Sequence, residues 1–244
     1  MKDKEKLIYG IHPVLEALKA NQSIQSILLQ KGKNTWAIED IKSAAEDNNI
    51  KVQFLPAEGF KKYQQYNHQG AVAFPSPVTF LKIDELIEKS LSKKQISYLV
   101  LDGVTDVRNL GAIIRNAESL NFDAIILPEN NSASINETVV KTSAGAIYNL
   151  PICKVKHLSD AMMYLSAENI ECIAITEKAN QSINQYQLPD KMAFIMGDEG
   201  KGISPKILSA CHQQLKIDLK GNTTSLNVSV ATGIVLYERN RQLE

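Results

Sequence analysis

From Ser97 onward the sequence alternates short apolar runs with helical stretches, and this rhythm constrains the fold more than any other feature of the chain. Strands are expected over 98–101, 124–127, 152–155, 172–176, 193–196 and 214–217. Helices are expected over about 110–120, 136–145 and 158–168, with a long last helix from about 227. Runs such as Ala124-Ile125-Ile126-Leu127 and Ala193-Phe194-Ile195-Met196 lack the polar alternation of a half-exposed strand, so both faces of the sheet must be covered. The expected class is α/β, a mainly parallel sheet flanked by helices. Ligands in such sheets bind beyond the carboxyl ends of the strands, which directs attention to the loops that follow them.

The first 74 residues read as a separate, smaller α/β layer, with strands over 26–29, 52–55 and 71–74 and helices over 13–19 and 36–48. Pro75-Ser76-Pro77 resists both helix and sheet, and a polar helical stretch over 83–94 follows. The expected division is therefore a first domain over 1–76, a linker over 77–95 and a larger domain over 96–244. At 244 residues, 44% hydrophobic and 22% charged, the chain can bury a substantial core. No apolar run approaches the roughly 20 residues of a membrane span, and residues 1–6 are charged with no apolar signal core behind them, so a cytoplasmic location is expected. Cys153, Cys172 and Cys211 are odd in number and form no CxxC or Cys/His cluster; they read as reduced thiols, and no metal is expected. A formal net charge of zero gives no bulk electrostatic footprint for nucleic acid. Local distribution says more, because two of the four arginines, Arg108 and Arg115, flank one short segment where planar multi-donor groups suit phosphate or ribose.

Three loops carry polar residues that a plain fold does not demand. The first, 102–111, leads from a strand into the helix bearing Arg115, with Asn109 expected at the helix cap. The second is Met196-Gly197-Asp198-Glu199-Gly200-Lys201-Gly202; its glycines permit close backbone approach, but their spacing is neither the dinucleotide fingerprint nor a Walker loop, which disfavours a Rossmann dehydrogenase. The third, 217–231, gathers Thr223, Thr224, Ser225 and Asn227 before a helix whose early residues are small and apolar. Capping and anion binding both fit that composition.

Taken in order, the segments NLGAIIRNAESLNFDAIILP, FIMGDEGKGIS and LKIDLKGNTTSLNVSVATGIVLYE closely resemble the SpoU (TrmH-type) branch of the SPOUT methyltransferases. IYGIHPVLEAL and HQGAVA near the start resemble the subgroup that methylates guanosine 2′-hydroxyls of ribosomal RNA. The resemblance implies a C-terminal SPOUT α/β domain tied in a trefoil knot and a small N-terminal L30e-like domain that binds RNA. It also implies S-adenosylmethionine as cofactor and a homodimer that completes the site. Carried onto matching positions, Thr176, Met196, Gly197, Ile217 and Leu226 are expected around the cofactor. Arg115, Asn109, Glu199, Ser225 and Asn227 are expected around methyl transfer. Two residues depart from the family text: Val107 stands where many relatives have proline, and Asp198, where a small residue is common, adds a carboxylate beside Glu199.

A ribose hydroxyl is a poor nucleophile, so transfer from a sulfonium needs in-line positioning and a route for the departing proton. Family accounts assign that proton to the arginine at Arg115. A guanidinium, which is a donor and not a base in proteins, better serves by hydrogen bonding the developing alkoxide and a neighbouring phosphate. His12 and His68 match the N-terminal text and are expected in RNA contact or structural duty, and Lys31, Lys33, Lys61 and Lys62 as phosphate partners or a solvated face. The expected activity is 2′-O-methylation of RNA, foremost at a guanosine of 23S ribosomal RNA, with neither DNA nor membrane as partner. The alternatives are a transfer-RNA methyltransferase of the same family and a non-catalytic RNA-binding assembly factor.

Overall fold

The computed structural model describes residues 7–19, 24–33, 36–48, 50–75, 78–198 and 200–243. The chain divides into two compact units, Met1–Thr79 and Phe80–Glu244.

In the first unit, strands β1 (Ile8–Tyr9), β2 (Ile24–Gln30), β3 (Lys51–Leu55) and β4 (Ala71–Pro75) lie in the order β1-β4-β2-β3, with β2 parallel to β3 and antiparallel to β4. Side chains alternate across a strand, so β2 sends Ile27 and Leu29 to one face and Leu28 to the other. The first face is covered by α1 (Ile11–Lys19) and α2 (Trp36–Asp47), whose Val14, Leu18, Ile38 and Ile41 pack with Ile27 and Leu29. The second is covered by a 3-10 helix, Ala57–Tyr63, which seats Phe60 and Tyr63 on Leu28 and Val72. Sequence periodicity missed this element, because three residues per turn over so short a span produce no 3.6-residue pattern. Pro75 closes β4; Ser76 and Pro77, on either side of the expected domain boundary, lie outside the described residues.

The second unit is a seven-stranded parallel sheet in the order β7-β6-β5-β10-β8-β11-β9. Its strands are β5 (Ile96–Asp102), β6 (Ala124–Pro128), β7 (Ile152–Val155), β8 (Glu171–Ile175), β9 (Gln181–Ser182), β10 (Lys191–Gly197) and β11 (Gln213–Lys216). One face packs against α3 (Ile83–Ser90), α6 (Leu158–Ala167) and α7 (Pro205–Ser209), where Leu86, Ile87, Met162, Leu165 and Ile207 meet Tyr98, Val100, Ala174 and Ile195. The other carries α4 (Val107–Ser119), α5 (Glu137–Thr142) and α8 (Val228–Leu243), over the alternate side chains such as Leu99 and Phe194. Phe122, just beyond α4, stacks on Phe194 with ring centroids 6.4 Å apart.

Two departures from the expected elements have local causes. The helical stretch expected over 83–94 is present as α3 but ends at Ser90, and its Leu86 and Ile87 belong to the core of the second unit; only the outward side of that helix is polar. The helix expected over 136–145 stops at Thr142, because Ala144 and Gly145 take left-handed backbone angles (φ 51° and 85°) that no α-helix tolerates.

Candidate active site

The strands of the second unit are parallel, so the ends of β8, β10 and β11 reach one edge of the sheet together. Beyond them lies a cleft of about 360 Å³, within the size range of small-ligand sites. Thr176, Met196, Gly197, Ile217, Ser225 and Leu226 all line it. These residues come from three separate loops, and the sheet register is what assembles them: the Thr176 N–H donates to the Leu215 carbonyl at 2.9 Å, joining the end of β8 to β11. Ile175, Ile217, Leu226 and Val228 give the cleft apolar lining, while Glu177, Lys178, Asp198 and Lys201 supply charge of both signs. Among the described residues, no group of three or more His, Cys, Asp or Glu side chains is arranged to hold a metal ion.

The glycine loop is folded tightly against itself. A Cβ on Gly197 would lie 2.2 Å from the Gly202 carbonyl carbon and 2.3 Å from the Ile203 nitrogen. Glycine is therefore required there first by the returning backbone of its own loop, a different reason from the cofactor space expected from sequence. Asp198 holds the fold-back. Its Oδ1 accepts from the N–H groups of Gly200 (2.8 Å) and Lys201 (2.9 Å), and its carbonyl accepts from the Gly202 N–H at 2.8 Å. The Asp102 carboxylate, at the end of β5, accepts from the Ser204 N–H at 2.8 Å and pins the far end. The family departure at Asp198 thus serves as a loop staple. Glu199 lies outside the described residues.

The methyl-transfer candidates Asn109 and Asn227 meet where α4 and α8 begin. Asp106, not Asn109, caps α4: its Oδ1 accepts from the N–H groups of Arg108 (2.8 Å) and Asn109 (2.9 Å). The expected start of this helix was therefore three residues late, and Asn109 sits inside its first turn. Its side chain is thereby freed from capping, and its Oδ1 accepts from Asn227 Nδ2 at 3.0 Å. Asn227 is itself the cap of α8, accepting from the N–H groups of Ser229 (3.0 Å) and Val230 (3.3 Å). Two turns further along the same stripe of α4, Asn116 donates to the Ser229 carbonyl at 3.0 Å, and Gly233 admits the close approach. Asp102, Asp106 and Asn116 were not singled out from sequence. An acidic residue before an apolar helix is a readable cap signal; the partners of Asp102 and Asn116, more than a hundred residues away, are not.

Arg115 is exposed on α4, seven residues after Arg108 and so on the same stripe of the helix. It has no hydrogen-bond or ion-pair partner among the described residues, and it is not among the residues lining the cleft of its own chain. Of the loop candidates, the structure thus brings Ser225 to the cleft, pairs Asn109 with Asn227, and leaves Arg115 apart.

In the first unit, His68 holds a turn. Its Nδ1 accepts from the Gly70 N–H at 2.9 Å, and its ring stacks on Phe60 at 4.9 Å. Burial, and secondarily the charge of Lys33, lowers its basicity and favours the neutral imidazole that this bond requires. Lys33 donates to the Gln69 carbonyl of the same turn at 3.2 Å. Lys61 and Lys62 ride on the 3-10 helix, with the Lys62 ammonium 4.9 Å from the Tyr63 ring centroid. His12 lies on α1 and lines a groove facing α2.

Comparison with known proteins agrees with this architecture. Residues 97–237 match the SpoU rRNA Methylase family, and residues 7–81 match the family described as RNA 2′-O ribose methyltransferase substrate binding. The 23S rRNA (guanosine-2′-O-)-methyltransferase RlmB of Escherichia coli is 33% identical over 97% of this chain and 98% of its own. A TrmH family tRNA/rRNA methyltransferase of Staphylococcus epidermidis is 34% identical over 98% of this chain and 97% of its own. The crystal structure of an AdoMet-bound rRNA methyltransferase from Sinorhizobium meliloti superposes with a TM-score of 0.63 at 21% identity, covering 98% of this chain and 87% of that one, and supports the fold. With more than half its length in the SpoU methylase domain and a full-length relative at this identity, the chain belongs to the SpoU rRNA methylase family.

Proposed function

We propose that this protein transfers a methyl group from S-adenosylmethionine to a ribose 2′-hydroxyl of RNA, foremost a guanosine of 23S ribosomal RNA. The observation that carries this reading is the cleft at the carboxyl ends of β8, β10 and β11, which gathers Thr176, Met196, Gly197, Ile217, Ser225 and Leu226, in a chain that matches RlmB over 97% of its length. The cleft suits S-adenosylmethionine by its chemistry. Apolar side chains offer a slot for a flat heterocycle, and Glu177 and Asp198 with Lys178 and Lys201 offer partners for a zwitterionic tail. When bound, S-adenosylmethionine supplies an electrophilic methyl on a sulfonium.

The remaining tasks fall to the chain. Thr176, Met196, Gly197, Ile217 and Leu226 bind and orient the cofactor, largely through backbone and apolar contact. Asn109 and Asn227, fixed on each other at 3.0 Å, position polar groups for the ribose together with Ser225 and Glu199. Arg115 donates to the forming alkoxide and an adjacent phosphate, and the proton leaves through phosphate or water. Because Arg115 stands outside the cleft of its own chain, a homodimer is part of the proposal, with a second copy completing each site. The last helix offers a face for it: Val230, Ile234 and Tyr237, at positions i, i+4 and i+7, are 52%, 41% and 62% exposed. The trefoil knot of the family is proposed for the segment between β11 and α8. The first unit, with Lys31, Lys33, Lys61 and Lys62, takes the RNA. A cytoplasmic location follows from the ribosomal substrate; among the described residues no helix is long and apolar enough to cross a membrane.

A second reading, methylation of transfer RNA, is favoured by the relative assigned to a tRNA/rRNA family. Mapping ribose methylation across cellular RNA with and without the protein decides between them. Loss of a single guanosine mark in 23S RNA is the expected result. Loss of a transfer-RNA mark would support the second reading, and no lost mark would point to a non-catalytic factor.

A further inference from the structure

The first unit holds a second cleft, about 350 Å³, between α1 and α2. α1 presents His12, Glu16 and Lys19 to it, at positions i, i+4 and i+7, and α2 presents Trp36, Asp40 and Asp47, at i, i+4 and i+11. Each set is one stripe of its helix, so the cleft is a groove between two facing stripes, floored by Leu15 and Ala44. Trp36, the only tryptophan in the chain, is 72% exposed beside it. An indole held this open at the lip of a groove is the residue type most enriched where partners dock.

The charge of the groove selects the partner. α2 carries Glu39, Asp40, Glu46 and Asp47 against the single lysine Lys42. Glu39 is paired with Lys42 at 3.8 Å and Glu16 with Lys19 at 3.3 Å. Asp40 and Asp47, inside the groove, have no hydrogen-bond or ion-pair partner among the described residues. Uncompensated carboxylates beside an exposed indole attract cations, by charge and over the ring face, and repel a phosphate backbone. The lysines Lys61 and Lys62, on the element that covers the opposite face of the sheet, leave the anionic substrate a separate side.

We infer that the groove between α1 and α2 docks a lysine- and arginine-rich segment of a partner protein, with one cation over Trp36 beside Asp40 and another at Asp47. Spacing refines the motif. Asp40 and Asp47 are seven residues apart on a helix, about 10 Å along its axis. A segment in the polyproline II conformation covers about that distance in three residues and returns its side chain to the same face, so the partner's cations recur at every third position. This docking site is independent of the methyl-transfer reading, and Trp36, Asp40 and Asp47 take no part in that reading.

The sole tryptophan reports on the groove directly. Full-length protein is titrated with a synthetic peptide repeating Arg-Gly-Ser-Lys-Gly-Ser while Trp36 emission is followed. A saturable change is expected, weakened by added salt and by about tenfold or more in Asp40→Asn/Asp47→Asn, which removes both facing charges. That variant keeps a wild-type circular dichroism spectrum and unchanged methyl transfer to naked RNA. Silence of Trp36 toward the peptide overturns the proposal, as does a response that the double substitution leaves intact. An RNA oligonucleotide that changes the emission equally in wild type and variant would assign the face to RNA. A change on dilution of the protein alone would assign it to a second copy.

Discussion

Replacing Gly197 with alanine adds one methyl group at the tightest point of the candidate site. The new carbon would stand 2.2 Å from the Gly202 carbonyl carbon, 2.3 Å from the Ile203 nitrogen and 2.6 Å from the Gly202 oxygen. All three are backbone atoms, so no side chain can rotate away. Restoring ordinary contact requires the 198–203 loop to move by a little over 1 Å, against the Asp198 and Asp102 hydrogen bonds that hold it. Overpacking of this kind costs about 1–3 kcal/mol, which in a chain of this size lowers Tm by roughly 3–10 °C. Gly200, Lys201 and Gly202 line the cleft, so the same movement displaces its wall and should weaken S-adenosylmethionine binding by about tenfold or more. Gly202→Ala is the control. Its backbone is left-handed (φ 69°) but no atom lies within 4 Å of an added Cβ, so it pays about 1 kcal/mol of strain and should hold the cofactor within a few-fold of wild type. Calorimetric titration and thermal melts of both variants check the pair. Wild-type affinity and Tm in Gly197→Ala would refute the argument, and weakened affinity at an unchanged Tm would show that the glycine serves the cofactor alone.

Arg115→Ala should lower methyl transfer by about a hundredfold or more while fold and cofactor affinity persist, because the side chain is exposed and without a partner among the described residues. Arg115→Lys should rescue poorly, since an ammonium cannot hold an alkoxide and a phosphate in one plane; activity climbing steeply with pH in the lysine variant would instead make this position a base. Asn227→Ala loses both the α8 cap and the bond to Asn109, whereas Asn227→Asp keeps the cap and loses only the donor. Urea unfolding should therefore find the alanine variant the weaker by about 1 kcal/mol, and equal stability of the two would contradict the cap. Burial pushes the thiols of Cys153 and Cys172 up to about 12 and that of Cys211 to about 11. A raised thiol contributes its stability in full below the unfolded value of 9.0 and loses it as pH rises toward 11–12. Ellman's reagent at pH 8 should thus react slowly with native protein and quickly with three thiols after unfolding, and any fast native thiol would contradict the burial.

The class of fold was legible in the sequence, because apolar runs too continuous for a half-exposed strand, separated by helical stretches, leave little but a covered parallel sheet. It also marked the three loops, whose glycines, amides and hydroxyls stand out against the strands before them. Local chemistry was legible where partners are near in sequence: an amide or carboxylate immediately before a helix, accepting from the N–H groups two and three residues on, is a cap, even though the cap of α4 proved to be Asp106 and not Asn109. The rest depends on contacts between segments far apart in the chain. Strand order is set by packing between distant segments, and it is the register of β8, β10 and β11 that carries Thr176, Gly197 and Leu226 to one cleft. The pairing of Asn109 with Asn227, the reason that Gly197 must be glycine, and the placement of Arg115 outside its own cleft likewise belong to contacts over long sequence separation or across a fold-back of the backbone. A one-dimensional pattern encodes which face a residue buries, since helix and strand periods are local; it does not encode which distant segment will lie against that face.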